Sequence, residues 1–245
     1  MSAADWAARC LECFHHQQYA ESDALARRGL ADFPDDGLLW QLHGAASWFL
    51  GDLAAARRAL ETAQTLAPLQ PLSRCALAGA YSQTGDSELA RALYVSLLQD
   101  DRCPSSLLPK VATGLGRLGE YWTALQVCRK LARLQPTHHA AYFGLAYYMA
   151  KLDYPSECYL RHLVRAHQLA PELLPYRINL AMLLADLGRA EHAHRLIREL
   201  PAAAIACTCW LHRLIDLCDT VGDDAQGRAF RERLDHLLSC PGSNS

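Results

Sequence analysis

GLLWQLHGAASWFLGDLAAARRALETAQTLAP, residues 37–68, reads as two amphipathic helices joined at a glycine. Apolar residues return at helical spacing in LLWQLHGAASWFL and again in LAAARRALETAQTL. Gly51 between them suits a left-handed C′ position, where a side chain would be strained. Pro68 follows the second helix and prevents its continuation. Small residues at Gly44 and Ala56 allow two helix backbones to approach closely. One such hairpin cannot bury its own apolar face, so it needs neighbours of the same kind.

Those neighbours are written into the rest of the chain. Gly51, Gly85, Gly119, Asp153, Gly188 and Gly222 recur in 34-residue steps with one step of 35. Pro34, Pro68, Pro136 and Pro171 keep the same beat in another phase. Ala56, Ala90, Ala124 and Ala193 recur in step, as do Gly44, Ala78, Ala112, Ala146 and Ala181. The extra residue falls in DYPSECY, 153–159, where Pro155 fits a longer turn between two helices. Pro109 and Pro175 fall near starts of first helices, where a missing N–H is tolerated.

Through Trp40, Gly44, Ala56, Leu60 and Pro68, residues 37–68 resemble the tetratricopeptide repeat pattern. His43 and Ser47 depart from it, and the next copy restores both positions with Leu77 and Tyr81. Seven repeats are expected, at 3–36, 37–70, 71–104, 105–138, 139–173, 174–207 and 208–241, in one domain with a disordered tail at 242–245. The resemblance implies an all-α fold, an α-solenoid coiled as a right-handed superhelix.

Composition narrows the function classes. The 245 residues carry a formal net charge of −2, which gives no electrostatic case for nucleic acid or anionic lipid as partner. The apolar run from Leu200 to Leu211 is broken by Pro201 and Thr208, so no membrane insertion is expected. Asp5 and Arg9 interrupt the N-terminal stretch where a signal peptide would be apolar. The expectation is a cytoplasmic protein, of bacterial origin by its Ala, Leu and Arg usage, whose ten cysteines are reduced. No Gly-rich phosphate loop, G-x-S-x-G elbow or H-E-x-x-H helix is present, so no cofactor and no catalysis are expected. GLGRLG, 114–119, follows no strand and ends on the turn glycine of its repeat. His138 and His139 are expected at a repeat junction, as turn or surface residues, and His162 and His167 on a helix surface. Asp35, Asp36, Asp223 and Asp224 fit helix N-termini.

CLECFHHQQY, 10–19, holds the one local pattern that looks like metal or thiol chemistry. Cys10, Cys13 and His16 would fan across one side of a helix. In the repeat register, however, Cys10 falls on the Gly44 and Ala78 position and Cys13 on that of Ser47 and Tyr81. Both are packing positions, where a reduced cysteine acts as a small hydrophobe. The same reading covers Cys128, Cys158 and Cys218. A thiol or metal sensor is therefore the lesser alternative.

The resemblance also implies a working surface. First helices of such proteins line a concave groove that holds a peptide or helix of a protein partner. The family's inward positions fall on Leu11, Phe14, Leu38, Leu42, Trp48 and Phe49 in the first two repeats. Toward the middle they are Gln41, Gln83, Lys110, Arg117, Phe143, Tyr147 and Lys151. In the last two repeats they are Asn179, Met182, His212, Arg213 and Asp216. The family's carboxylate clamp, and its asparagine ladder for extended peptides, are not supplied by consecutive repeats; only Asn179 holds the ladder position. What remains suits an apolar or amphipathic helix, bound by a scaffold or adaptor. A regulatory or targeting subunit of an enzyme, and an assembly or secretion chaperone, are the alternatives; oligomeric state is not written in the sequence.

Zinc titration of the reduced protein is expected to show no tight stoichiometric binding. One tight equivalent, lost in Cys13→Ser, would make the cysteine pair a metal site.

Overall fold

Among the described residues, seven adopt a left-handed backbone at the repeat beat: Gln17, Gly51, Gly85, Gly119, Asp153, Gly188 and Gly222, with φ between 55° and 93°. Each closes a first helix in the same way. The amide of the following residue reaches back to a carbonyl five positions earlier, as in Gln18 N to Cys13 O at 2.9 Å and Asp52 N to Ser47 O at 3.0 Å. Asp86 to Tyr81, Glu120 to Leu115, Tyr154 to Met149, Arg189 to Leu184 and Asp223 to Cys218 repeat the bond. This is the Schellman closure, which requires the left-handed residue it encloses. Gln17, one beat before Gly51, is the first member of the series and the one that the sequence reading leaves out.

The computed structural model describes residues 1–239. The expected tail at 242–245 lies outside the described residues, as does the end of the seventh repeat. Among the described residues there are fourteen α-helices and no strand. The chain divides into two compact units, Met1–Leu134 and Gln135–Ser245. The sequence reading groups all seven repeats in one domain; the contacts group four and three, dividing close to the expected end of the fourth repeat.

The first unit pairs α1 (Ala3–His15) with α2 (Tyr19–Asp32), α3 (Gly37–Phe49) with α4 (Leu53–Leu66), α5 (Pro71–Thr84) with α6 (Ser87–Gln99), and α7 (Leu108–Arg117) with α8 (Tyr121–Leu134). A 3-10 turn, Ser105–Leu107, precedes α7. The second unit pairs α9 (His139–Lys151) with α10 (Ser156–Leu169), α11 (Leu174–Asp186) with α12 (Ala190–Ile197), and α13 (Thr208–Val221) with α14 (Asp224–Ser239). Within each unit, successive hairpins also touch: α2 and α4 contact the first helix of the next repeat, and α10 and α12 do the same.

The punctuation works as its chemistry requires. Pro34, Pro68, Pro136 and Pro171 each stand two residues past the end of α2, α4, α8 and α10. At the same beat in the third repeat stands Arg102, and Asp100 makes the stop instead. Asp100 accepts from Arg102 N at 2.9 Å and Arg102 Nε at 3.1 Å, and pairs with Arg74. Those bonds, Arg102's first, hold its carboxyl below the usual range. Asp36 caps α3 through Leu39 N at 2.8 Å, and Asp223 accepts from Gln226 N at 3.1 Å. The extra residue of the fifth repeat lies in the turn 152–155. The sixth departs from the pattern: α12 is short, and a second 3-10 turn, Ala202–Ala204, follows it after Pro201.

Small residues set the helix spacing. A Cβ added to Gly44 would stand 2.5 Å from Leu60 Cγ, so α3 and α4 meet where no side chain fits. Around such contacts the first unit buries Leu39, Leu60, Leu77, Leu97, Leu115, Leu125 and Leu131 completely; the second buries Ile178, Ile197, Ile205 and Phe230. Each contributes about 1.5–3 kcal/mol relative to exposure. Cys10 is also fully buried, among Ala7, Leu25 and Ala26, and burial pushes its thiol up to about 11. Cys128 and Cys218 are buried as expected. Cys158 is not: it is exposed on α10.

His43 and Ser47, which break the repeat pattern, have a shared partner. Asp23 of α2 is buried, and it receives His43 Nδ1 at 2.6 Å and Ser47 Oγ at 3.2 Å from α3, with Arg27 closing the third side. A buried carboxylate is tolerated only when its lone pairs are met. The two irregular residues therefore meet a requirement set one repeat earlier.

Two outcomes follow for denaturant unfolding. Gln17→Gly should stabilise by about 0.5–1 kcal/mol, since relief of left-handed strain exceeds the added chain entropy, while Gly119→Ala should destabilise by about 1 kcal/mol; a loss of stability in Gln17→Gly would contradict the closure. His43→Leu restores the repeat pattern, yet should cost about 1–3 kcal/mol by leaving Asp23 underpaired. In Asp23→Ala/His43→Leu the cost should fall below the sum of the single changes; simple additivity would show that the two groups do not interact.

Candidate functional site

Each unit carries a cleft on its first helices. In the first unit a row of aromatic rings leads to it. Phe14 at the end of α1 meets Tyr19 edge-on, with ring centroids 5.1 Å apart, and meets Phe49 at 5.4 Å. Tyr19 stacks on Phe49 at 4.4 Å, and Trp48 meets Phe49 edge-on at 5.0 Å. Such pairs add about 0.5–1.5 kcal/mol each beyond area burial. The turn at Gln17 is what folds Tyr19 back onto Phe14.

Trp48 continues the row across α5. Its indole lies where a Cβ on Gly79 would come within 2.7 Å of Nε1, so the absence of a side chain at Gly79 makes the seat. The cleft beyond holds roughly 300 Å³ and is lined by Trp48, Gly79, Ser82, Gln83, Tyr94, Pro109, Lys110, Thr113, Gly114 and Arg117. Tyr94 closes the floor against Gly114, where a Cβ would overlap its ring at 2.2 Å. Lys110 Nζ stands 5.2 Å from the Trp48 ring centroid and 5.0 Å from that of Phe49. That is cation–π range on two faces at once.

The second unit's cleft is smaller, roughly 220 Å³, and lies between α9, α10, α11 and α13. Phe143, Tyr147, Tyr159, Leu163, Met182 and Leu183 make its apolar lining, with Asn179, Asp186 and Arg213 at polar positions. Arg213 pairs with Asp186. A neighbouring hollow of roughly 200 Å³ adds Asp216 to Met182, Asp186 and Arg213. Tyr147 is 46 % exposed, with Lys151 Nζ 5.7 Å from its ring centroid.

Trp48, Gln83, Lys110 and Arg117 thus gather at one cleft, with Phe14 and Phe49 in the row beside it. Phe143, Tyr147, Asn179, Met182 and Arg213 gather at the other. Five further residues fall elsewhere than expected. Gln41 is only 4 % exposed, because its amide ties the junction after α4: Nε2 donates to Pro68 O at 3.4 Å and Oε1 accepts from Gln70 N at 2.8 Å. Leu38 and Leu42 pack into the apolar cluster of the first two repeats, against Leu39 and its neighbours. Leu11 and His212 are exposed and line neither cleft. Trp48 does two things: it packs between repeats on Gly79 and presents a face to the cleft.

Sequence register misses Tyr19, which belongs to a second helix, and Gly79, whose role depends on the indole above it. His139, at the start of α9, has its Nδ1 2.8 Å from Tyr176 Oη, and His162, half-buried on α10, stacks on Tyr142. Cys10, Cys13 and His16 do not make a metal-binding group: among the described residues no three His, Cys, Asp or Glu side chains gather as one would require. No described helix is long and apolar enough to cross a membrane.

No family model matches the chain, and no curated protein does. Solved structures do match in fold. PilF of Pseudomonas aeruginosa is 17 % identical, with a TM-score of 0.70 over 83 % of this chain and 91 % of that one. The C-terminal part of a TPR repeat-containing protein from Cytophaga hutchinsonii is 13 % identical, with a TM-score of 0.68 over 98 % and 96 %. PilW, described as a widely conserved type IV pilus biogenesis factor, is 16 % identical, with a TM-score of 0.67 over 82 % and 92 %. At such identities the likeness speaks for architecture alone. The chain has the tetratricopeptide-repeat fold, an all-α helical-repeat architecture.

Proposed function

We propose that this protein is a non-catalytic cytoplasmic scaffold or adaptor, which binds an apolar or amphipathic helical segment of a partner protein at its first-helix clefts. The fold supports a protein-interaction role in general, since helical-repeat surfaces are built to present broad binding faces. The observation that carries the specific reading is the cleft of the first unit. Trp48 lines that cleft beside a row of rings, with Lys110 over it, in a hollow sized for one or two side chains. Burying one large apolar anchor there would contribute about 1.5–3 kcal/mol, so two anchors give useful affinity after ordering costs. The sensor alternative has less support, because Cys10 is enclosed and its thiol resists ionisation.

Affinity capture from native lysate, comparing the wild type with Trp48→Ala/Phe49→Ala, tests the reading. Loss of a specific captured protein is expected, with helicity retained and stability lowered by about 1–3 kcal/mol for the half-buried rings. Identical captured sets from both proteins would overturn it.

A further inference from the structure

The two clefts differ in charge, and the difference identifies an occupant. In the second unit Arg213 is neutralised by Asp186 on the cleft's own wall. In the first unit Lys110 and Arg117 both line the cleft, no carboxylate lines it, and neither cation has an ion-pair partner among the described residues. Lys110 is held instead over the Trp48 and Phe49 rings. A ring face polarises toward a cation but does not cancel its charge, so the site keeps a positive field beside an apolar wall. Both cations sit on α7, seven residues apart, which at 1.5 Å per residue separates them by about 10 Å along one helix face.

We propose that the first unit's cleft binds an acidic amphipathic helix of a partner protein, with two carboxylate side chains seven residues apart facing Lys110 and Arg117 and a large apolar residue between them on Trp48. This rests on the scaffold reading and adds the partner's chemistry to it. A helix laid along α7 has the same rise per residue, so carboxylates two turns apart match the two cations without either chain bending. The carboxylates are internal side chains, not a chain terminus. A free C-terminal carboxylate offers one fixed charge at one end and cannot meet both cations. The cleft of the second unit, already neutralised, does not share the preference.

A displayed library of helix-forming peptides, about five turns long and randomised on one face, tests this on the full chain. Selection on the wild type is expected to enrich pairs of Asp or Glu seven residues apart with a large apolar residue between them. Selection on Lys110→Glu/Arg117→Glu should enrich Lys or Arg at the same spacing. The acidic winner should bind the wild type on the order of tenfold more tightly than the charge-reversed variant. Amidation of its C-terminus should leave affinity unchanged. Apolar winners without acidic pairs that still need Trp48 would overturn this inference and leave the scaffold reading standing. No enrichment on the wild type would overturn both. Dimerisation in sedimentation that is lost in Trp48→Ala would assign the cleft to a second copy of this chain, and would equally overturn the proposal.

Discussion

Every hairpin in this protein depends on one residue being willing to turn left. Closure of the first helix leaves carbonyls without partners, and the Schellman bond supplies one only if the enclosed residue takes positive φ. Five of the seven positions use glycine, which adopts that conformation without a steric penalty. Asp153 and Gln17 do it with side chains, at a cost the surrounding helices must outweigh. Once the turn is set, the second helix lies back on the first. Residues such as Gly44 and Ala56 then determine how closely the backbones meet.

The same constraint builds the site. The turn at Gln17 returns Tyr19 toward Phe14, and Phe49 lies just before the turn at Gly51. The rings are thus brought together by two turns one repeat apart, and not by any local motif. Gly79 extends the arrangement by leaving room for the Trp48 indole, and α7 then sets Lys110 over the half-buried Trp48 and Phe49 rings. A cleft made this way is a by-product of stacking that a few side chains have specialised. The second unit's cleft lies between α9, α10, α11 and α13 instead, and its Arg213 is paired with Asp186.

How much of this can be read from the chain follows from range. The beat of glycines, prolines and small residues is local and periodic, so the helix pairs, the stops at Pro34, Pro68, Pro136 and Pro171, and the longer fifth turn are legible. The first-helix positions are legible too, because one face of a helix follows from register. Three kinds of feature are not. Gln17 is silent because nothing in glutamine announces a left-handed turn. Asp23, His43 and Ser47 look like pattern failures taken singly, and make sense only as a hydrogen-bonded group spanning two repeats. Gln41, Leu38 and Leu42 occupy inward register, yet are drawn into a junction and a core by neighbours that the register does not specify.

The most direct test is nuclear Overhauser spectroscopy of the isotope-labelled protein, read at Gln17, Tyr19 and Phe49. The account predicts the strong intraresidue amide-to-Hα signal of positive φ at Gln17, together with ring contacts between Tyr19 and Phe49. An extended or right-handed Gln17, or rings out of contact, would contradict it, because the turn and the aromatic row would then no longer be one construction.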